Sequence, residues 1–162
     1  MTAEYTNPLF RVDDRLLHGS VVVGWGETLP VAEFLLADDQ ICADDLAREL
    51  CLTCIPPDKQ GQVLPLQEAV HQLQSRITQD MLMVVIRSCT EAWALYQAGI
   101  CFTRLNLGGI HFQAGSRKLL PYIFLTAEDE ENLGLLTAAG VEIYCQDLPG
   151  NHCYPLEELL HG

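Results

Sequence analysis

The feature that most constrains this chain is an alternation of short runs, several of them apolar on both faces, with longer stretches of helical spacing. The runs fall at 9–13, 32–37, 62–66, 81–86, 104–107 and 141–146, and the helical stretches at 18–28, 44–54, 67–79, 90–98 and 128–139, with a short last one at 155–160. A strand that is apolar on both faces must be covered on both, which suits parallel strands between layers of helices. The expected fold is therefore α/β: a single-domain three-layer sandwich with a central, mostly parallel sheet flanked by helices on both faces. The 162 residues fit one domain, 1–162, without internal repeat, linker or low-complexity segment.

Local stop and start signals agree with these boundaries. Pro56 and Pro57 close the second helical stretch, and Gly99 and Gly140 stand where a left-handed C-cap is needed. Thr126 with Asp129 reads as a capping box, and Thr90 as a cap for the helix after the fourth strand. The stretch 117–125 is apolar and extended but interrupted by Pro121, which leaves an edge strand or a hairpin open.

Charge and cysteine usage exclude several functions. Nine Lys and Arg against 22 Asp and Glu give a net charge of −13, a surface that repels phosphate backbones and anionic lipids, so no nucleic-acid partner is expected. Residues 1–7 have neither a basic nor an apolar leader region, and no apolar run reaches the roughly 18–20 residues that span a bilayer, so the expected location is the cytosol. Seven scattered cysteines suit a reducing compartment and packing as small hydrophobes. The pair Cys51 and Cys54 forms the single CxxC, with no second pair and no histidine at metal spacing; packing on the inner face of a helix accounts for it.

In an open α/β sheet, chemistry gathers in loops at the carboxyl ends of strands. Those loops are 13–19, 38–40, 87–89 and 108–112, and the first is the densest in polar groups: Arg11-Val12-Asp13-Asp14-Arg15-Leu16-Leu17-His18-Gly19-Ser20. A histidine opening a helix sees unpaired backbone N–H groups that disfavour imidazolium and favour an anion placed on the ring. Arg15 offers a planar charged fork to a phosphoryl group, and Asp13 or Asp14 could hold one ring nitrogen's proton so that the other attacks. A lone loop histidine beside capping aspartates would also fit the pattern. No GxxxxGK[ST], GxGxxG after the first strand or HExxH is present, which leaves nucleotide and zinc chemistry without support.

The segment from Arg11 to Gly19, followed by an apolar helix with Trp25, resembles the active-site segment of the mannose/sorbose-type IIB components of the bacterial phosphoenolpyruvate-dependent sugar phosphotransferase system (PTS). The resemblance continues through Ala37-Asp38-Asp39, Asp44, Pro56-Pro57, the stretch from Asn106 to Phe112, Phe124-Leu125-Thr126 and Val141-Glu142-Ile143. It implies a phosphocarrier that takes a phosphoryl group from a phosphorylated IIA protein and passes it to a sugar brought in by membrane IIC and IID components. That is the activity of a protein-Nπ-phosphohistidine–sugar phosphotransferase, located in the cytosol or peripherally at the membrane through those partners.

Carried over, His18 is the phosphorylated residue, Arg15 steadies the phosphoryl oxygens, and Asp14 and Arg11 are supporting charges. Gly19 and Ser20 complete the phosphoryl-binding loop, with no cofactor and no metal required; His111 is given no chemical role. Ser20 departs from the family's usual glutamine, which bears on contacts to the sugar or the membrane partner. A regulatory phosphorelay that moves no sugar, and a binding domain whose histidine is never phosphorylated, are the alternatives. The identity of the sugar and the oligomeric state are not written in the sequence.

Overall fold

The computed structural model describes residues 5–162. The leader reading of the first four residues thus lies outside the described residues. In chain order the elements are β1 (Leu9–Asp13), α1 (Gly19–Thr28), β2 (Val31–Ala37), α2 (Asp39–Cys42), α3 (Asp45–Thr53), β3 (Gln60–Leu64), α4 (Leu66–Gln74), β4 (Met81–Ile86), α5 (Cys89–Gln97), β5 (Arg104–Gly109), β6 (Arg117–Leu120), β7 (Ile123–Leu125), α6 (Ala127–Ala138), β8 (Glu142–Cys145), β9 (Tyr154–Pro155) and α7 (Leu156–His161). The main sheet runs β3-β2-β4-β1-β5-β8-β9. Its pairings are parallel except for β9, which lies antiparallel to β8 at the edge.

Two apolar layers fill the two faces. One packs α1, α2 and α3 on residues such as Leu9, Phe34, Leu36, Met83 and Val85, with Val22 and Trp25 of α1 fully buried. The other packs α4, α5, α6 and α7 on Phe10, Val12, Val84, Ile86 and Leu105. The alternation of side chains along each strand delivers this split, and it makes the expected three-layer sandwich. The chain leaves β1 toward the α1 face, whereas β4 and β5 send theirs through α5 and α6 on the opposite face. The carboxyl end of β1 is therefore a topological switch point.

Sequence boundaries hold with local exceptions. β3 and α4 begin earlier than expected, because Pro65 (φ −60, ψ 153) ends the strand and caps the helix that starts at Leu66. α4 stops at Gln74: Ser75 hydrogen-bonds back to the His71 carbonyl, and Arg76 turns to Glu33 and to the Asp80 carbonyl. The cap of α5 is Ser88, not Thr90; Thr90 falls within the first turn, where its hydroxyl accepts from the Asn132 amide. Asp38 caps the short helix α2, where only a loop was expected. The capping box of Thr126 with Asp129 is formed, and Gly99 and Gly140 have φ of 101° and 99°. The segment left open is a hairpin, β6 on β7, with Pro121 in the turn. Cys51 and Cys54 are half-buried free thiols against the α1-side core. Among the described residues no helix is long and apolar enough to cross a membrane.

Candidate functional site

The site grows out of the last residues of β1. Because side chains alternate, Phe10 and Val12 enter the apolar layer under α5 and α6, while Arg11 and Asp13 turn to the α1 side. Both charged side chains are fully buried, and they pair at 3.0 Å. The Arg11 guanidinium also donates to Asn106 Oδ1 (2.6 Å) and to the backbone carbonyls of Gln146 (3.0 Å) and Asp147 (2.9 Å), and it lies 5.1 Å from the Trp25 ring centroid. Burial pulls the Arg11 pKa down and Asp13 opposes the shift. The buried charge is tolerated because Nη1 and Nη2 are each matched by acceptors, although Nε is buried without a hydrogen-bond partner.

Gly108 is a requirement of this arrangement. A Cβ there would sit 1.9 Å from the guanidinium carbon of Arg11, and one at Gly109 would come within 3.0 Å of Asp13 and 3.2 Å of Arg15. The two glycines of β5 leave the space that the arginines fill.

Asp13 is the hub. Its carboxylate accepts from Arg11 Nη2 (3.0 Å) and from Arg15 three times: backbone N (3.0 Å), Nε (3.1 Å) and Nη2 (3.0 Å). Burial alone would raise its pKa, but the Arg15 hydrogen bonds and the charges of Arg11 and Arg15 hold it below the ordinary value of 3.8. Arg15 is thereby fixed at one edge while 37% of its side chain stays exposed. The chain then turns through Leu16, whose φ of 64° is uncommon for a non-glycine residue, and buries both Leu16 and Leu17 in the α1-side core. That turn, anchored by the Leu16 N–H on the Asp13 carbonyl (3.0 Å), delivers His18 to the N-cap of α1.

The His18 carbonyl accepts the first helical bonds, from the N–H groups of Val21 and Val22 at 3.1 Å. Its ring is about a quarter exposed. Nε2 is buried without a hydrogen-bond partner and faces the Asp13 carboxylate at 3.7 Å, which leaves Nδ1 as the ring nitrogen open to an incoming group. Burial first, then the Arg15 charge, lower the His18 pKa below 6.5, against the smaller upward pull of Asp13. The ring is therefore neutral near pH 7 and carries a lone pair. Gly19 and Ser20 open α1, where helical geometry leaves backbone N–H groups without intrahelical partners. A Cβ at Gly19 would meet nothing within 4 Å, so there is room above the helix terminus.

Of the six residues singled out in the sequence, the structure brings Arg11, Arg15, His18, Gly19 and Ser20 to one end of β1 and α1. Asp14 goes elsewhere: its carboxylate accepts from the His111 backbone N–H (2.7 Å) and pairs with His111 Nδ1 (2.5 Å), clamping the loop after β5. The carboxylate beside His18 is the other member of the pair, Asp13. The signal that separates them was present in strand parity, since Asp13 lies two residues from Arg11 and shares its face. Two further features come from segments distant in sequence: the Gly108 and Gly109 floor from β5, and the carbonyls of Gln146 and Asp147 from the loop after β8. The loop after β4 joins the site through Arg87, held by Asp38 at 2.8 and 3.1 Å.

Fold and site together define a class: a doubly wound α/β domain whose polar focus is a histidine-bearing loop at the switch point of the sheet. The family model of the PTS system sorbose subfamily IIB component matches residues 7–162, and the chain belongs to that family. Among its relatives is the N-acetylgalactosamine-specific phosphotransferase enzyme IIB component 1 of Escherichia coli (strain K12), 24% identical over 146 residues that cover 88% of this chain and 91% of that one. The mannose-specific EIIAB component of the same strain is 25% identical over 83% of this chain, a match that spans only 42% of that longer protein. The IIBSor domain of the sorbose permease from Klebsiella pneumoniae superposes with a TM-score of 0.85 at 22% identity, covering 94% of each chain, and so shares the fold.

Proposed function

We propose that this protein is a phosphocarrier in which His18 accepts a phosphoryl group from a phosphorylated IIA protein and passes it to a sugar supplied by membrane IIC and IID components. The observation that carries this reading is the placement of the His18 ring: at the N-cap of α1, partly exposed, with Nε2 facing the buried Asp13 carboxylate at 3.7 Å. Family membership supports it, as does a relative whose name joins A and B components in one chain.

In the first step the Nδ1 lone pair attacks phosphorus on the donor histidine. The new N–P bond forms as the donor's N–P bond breaks and its electron pair returns to the donor ring. His18 keeps its proton on Nε2, so positive charge develops on its ring, and Asp13 at 3.7 Å compensates it. Arg15 and the N–H groups of Gly19 and Ser20 face the phosphoryl oxygens. In the second step a sugar hydroxyl oxygen attacks phosphorus, the His18 N–P electron pair returns to Nδ1, and the hydroxyl proton is released to solvent. Arg11 acts through Asp13 and touches no reacting atom. Positioning and charge stabilisation are the principal demands of phosphoryl transfer, and this network supplies both.

The test is intact-protein mass spectrometry after incubation with phosphoenolpyruvate, enzyme I, HPr and a mannose-family IIA protein. An acid-labile gain of one phosphoryl group on the wild type and none on His18→Ala is expected. No gain on the wild type, with the IIA protein itself phosphorylated, would overturn the reading.

A further inference from the structure

On the face of the sheet opposite α1, helices α6 and α7 both rest on β8 and leave between them a groove of about 590 Å³ that reaches β9. Its floor is apolar: Leu133 of α6, Val141 and Ile143 at the start of β8, and Leu156 of α7, all part of the core on that face. The α6 wall is low at Gly134, where a Cβ would meet nothing within 4 Å, and Leu160 of α7 forms the wall across from it, half-buried.

The rim is acidic. Glu130, Glu142 and Glu157 line the groove, and no lysine or arginine does. Glu130 takes Arg117 at 3.0 Å and Glu142 takes Arg104 at 3.3 Å, both from outside the lining, while Glu157 has no ion pair among the described residues. His161 is the one lining side chain able to gain a positive charge. These charges decide between occupants. A second copy of this chain, with its net charge of −13, would bring like charge to the rim. A small ligand would need oriented polar groups inside the groove, and the lining holds no buried polar side chain. An apolar trough between two helices, edged by carboxylates, matches a helix whose apolar stripe is flanked by lysine or arginine.

We infer that this groove is a docking site for a basic amphipathic helix of another protein, its apolar side chains on Leu133, Val141, Ile143 and Leu156 and its cations on Glu142 and Glu157. Leu16 and Leu17, which lead into His18, belong to the opposite layer, so an occupant of the groove leaves that loop uncovered. The surface serves to hold a partner, not to transfer a group, and it does not depend on His18 carrying a phosphoryl group.

The test is a titration of the ¹⁵N-labelled protein with a synthetic helix of about 14 residues, leucines at i, i+3, i+4 and i+7 and lysines elsewhere, beside a peptide of the same composition with the stripe scrambled. The striped helix should move the amide signals of Gly134, Val141, Glu142 and Leu160 saturably below ~1 mM, and the scrambled peptide should not. Gly134→Leu fills the groove without opposing the helix and should weaken binding ~10-fold, and Glu157→Lys on the exposed rim should weaken it about 3-fold at low salt. Unchanged signals outside the groove show that each variant is folded. No saturable shift, equal shifts with the scrambled peptide, or binding that survives both substitutions would overturn the inference. So would sedimentation of the free protein as a dimer that Gly134→Leu dissociates, because the occupant would then be a second copy. Phosphorylation of His18 is read separately by mass, so a silent His18 leaves the outcome at the groove unaffected.

Discussion

The two faces of β1 make an instructive pair. Toward α5 and α6 the strand presents Phe10 and Val12, which pack among apolar neighbours, Phe10 stacking on Phe102 with ring centroids 4.7 Å apart. Toward α1 it presents Arg11 and Asp13, equally buried but joined by directional bonds to three other segments of the chain. Five residues thus carry a packing face and a charge-positioning face. Apolar packing is tolerant of shape and indifferent to orientation, whereas a buried ion network has one geometry or none. Placing such a network under the histidine fixes Arg15 and the ring as loop flexibility alone would not.

Substitutions on the two faces should separate these roles. Asp13→Ala leaves Arg11 buried without its carboxylate and is expected to cost about 3–5 kcal/mol in urea unfolding, and to remove phosphoryl transfer with it. If the variant unfolds at the wild-type midpoint, the charged face is not structural. Phe10→Ala should be as damaging to stability, about 3–5 kcal/mol, yet transfer measured where the variant is folded should stay near the wild-type rate. A slowed transfer in folded Phe10→Ala would break the division between the faces.

Arg15→Ala sharpens the comparison from the other direction. Its side chain is partly exposed, so stability should fall by less than about 1 kcal/mol, while loss of a charge-assisted contact worth about 1.5–3 kcal/mol should slow phosphorylation of His18 roughly 10–100-fold. Quench-flow with a phosphorylated IIA donor reads the rate, and an unchanged rate would remove Arg15 from the site.

The smallest effect concerns pH. Because burial and Arg15 lower the His18 pKa, the folded protein keeps a neutral ring as pH falls through 6.5, where an ordinary histidine would begin to lose its nucleophile. The phosphorylation rate should therefore be flat through that value and decline only at lower pH. Stability has the matching sign: the His18 contribution is complete above 6.5 and is lost below it, as the unfolded chain takes up its proton first. Asp13, held below 3.8, withdraws its own contribution only in still stronger acid. A rate that halves as pH falls to 6.5 would contradict the lowered pKa.

Much of this was legible in the sequence because it is periodic or local. Runs apolar on both faces gave the parallel sheet, and Thr126 with Asp129 gave the start of α6. The cluster from Arg11 to Ser20 declared itself by density. What could not be read depends on segments distant in sequence meeting: the carbonyls of Gln146 and Asp147 reach Arg11 from the far end of the chain, and Gly108 matters only because that guanidinium needs its space. The exchange of Asp14 for Asp13 is different in kind. Parity along β1 already put Asp13 with Arg11, but the turn at Leu16, with its left-handed backbone, decides which carboxylate His18 meets, and nothing in a leucine announces that conformation.

The most direct test of the central claim is long-range ¹H–¹⁵N and ³¹P NMR of His18 before and after phosphorylation. The unphosphorylated ring should be the Nε2–H tautomer, and the phosphorylated ring should show phosphorus coupled to Nδ1 with the proton still on Nε2. Phosphorus coupled to Nε2, or a phosphorylated protein in which the His18 ring is unchanged, would contradict the account.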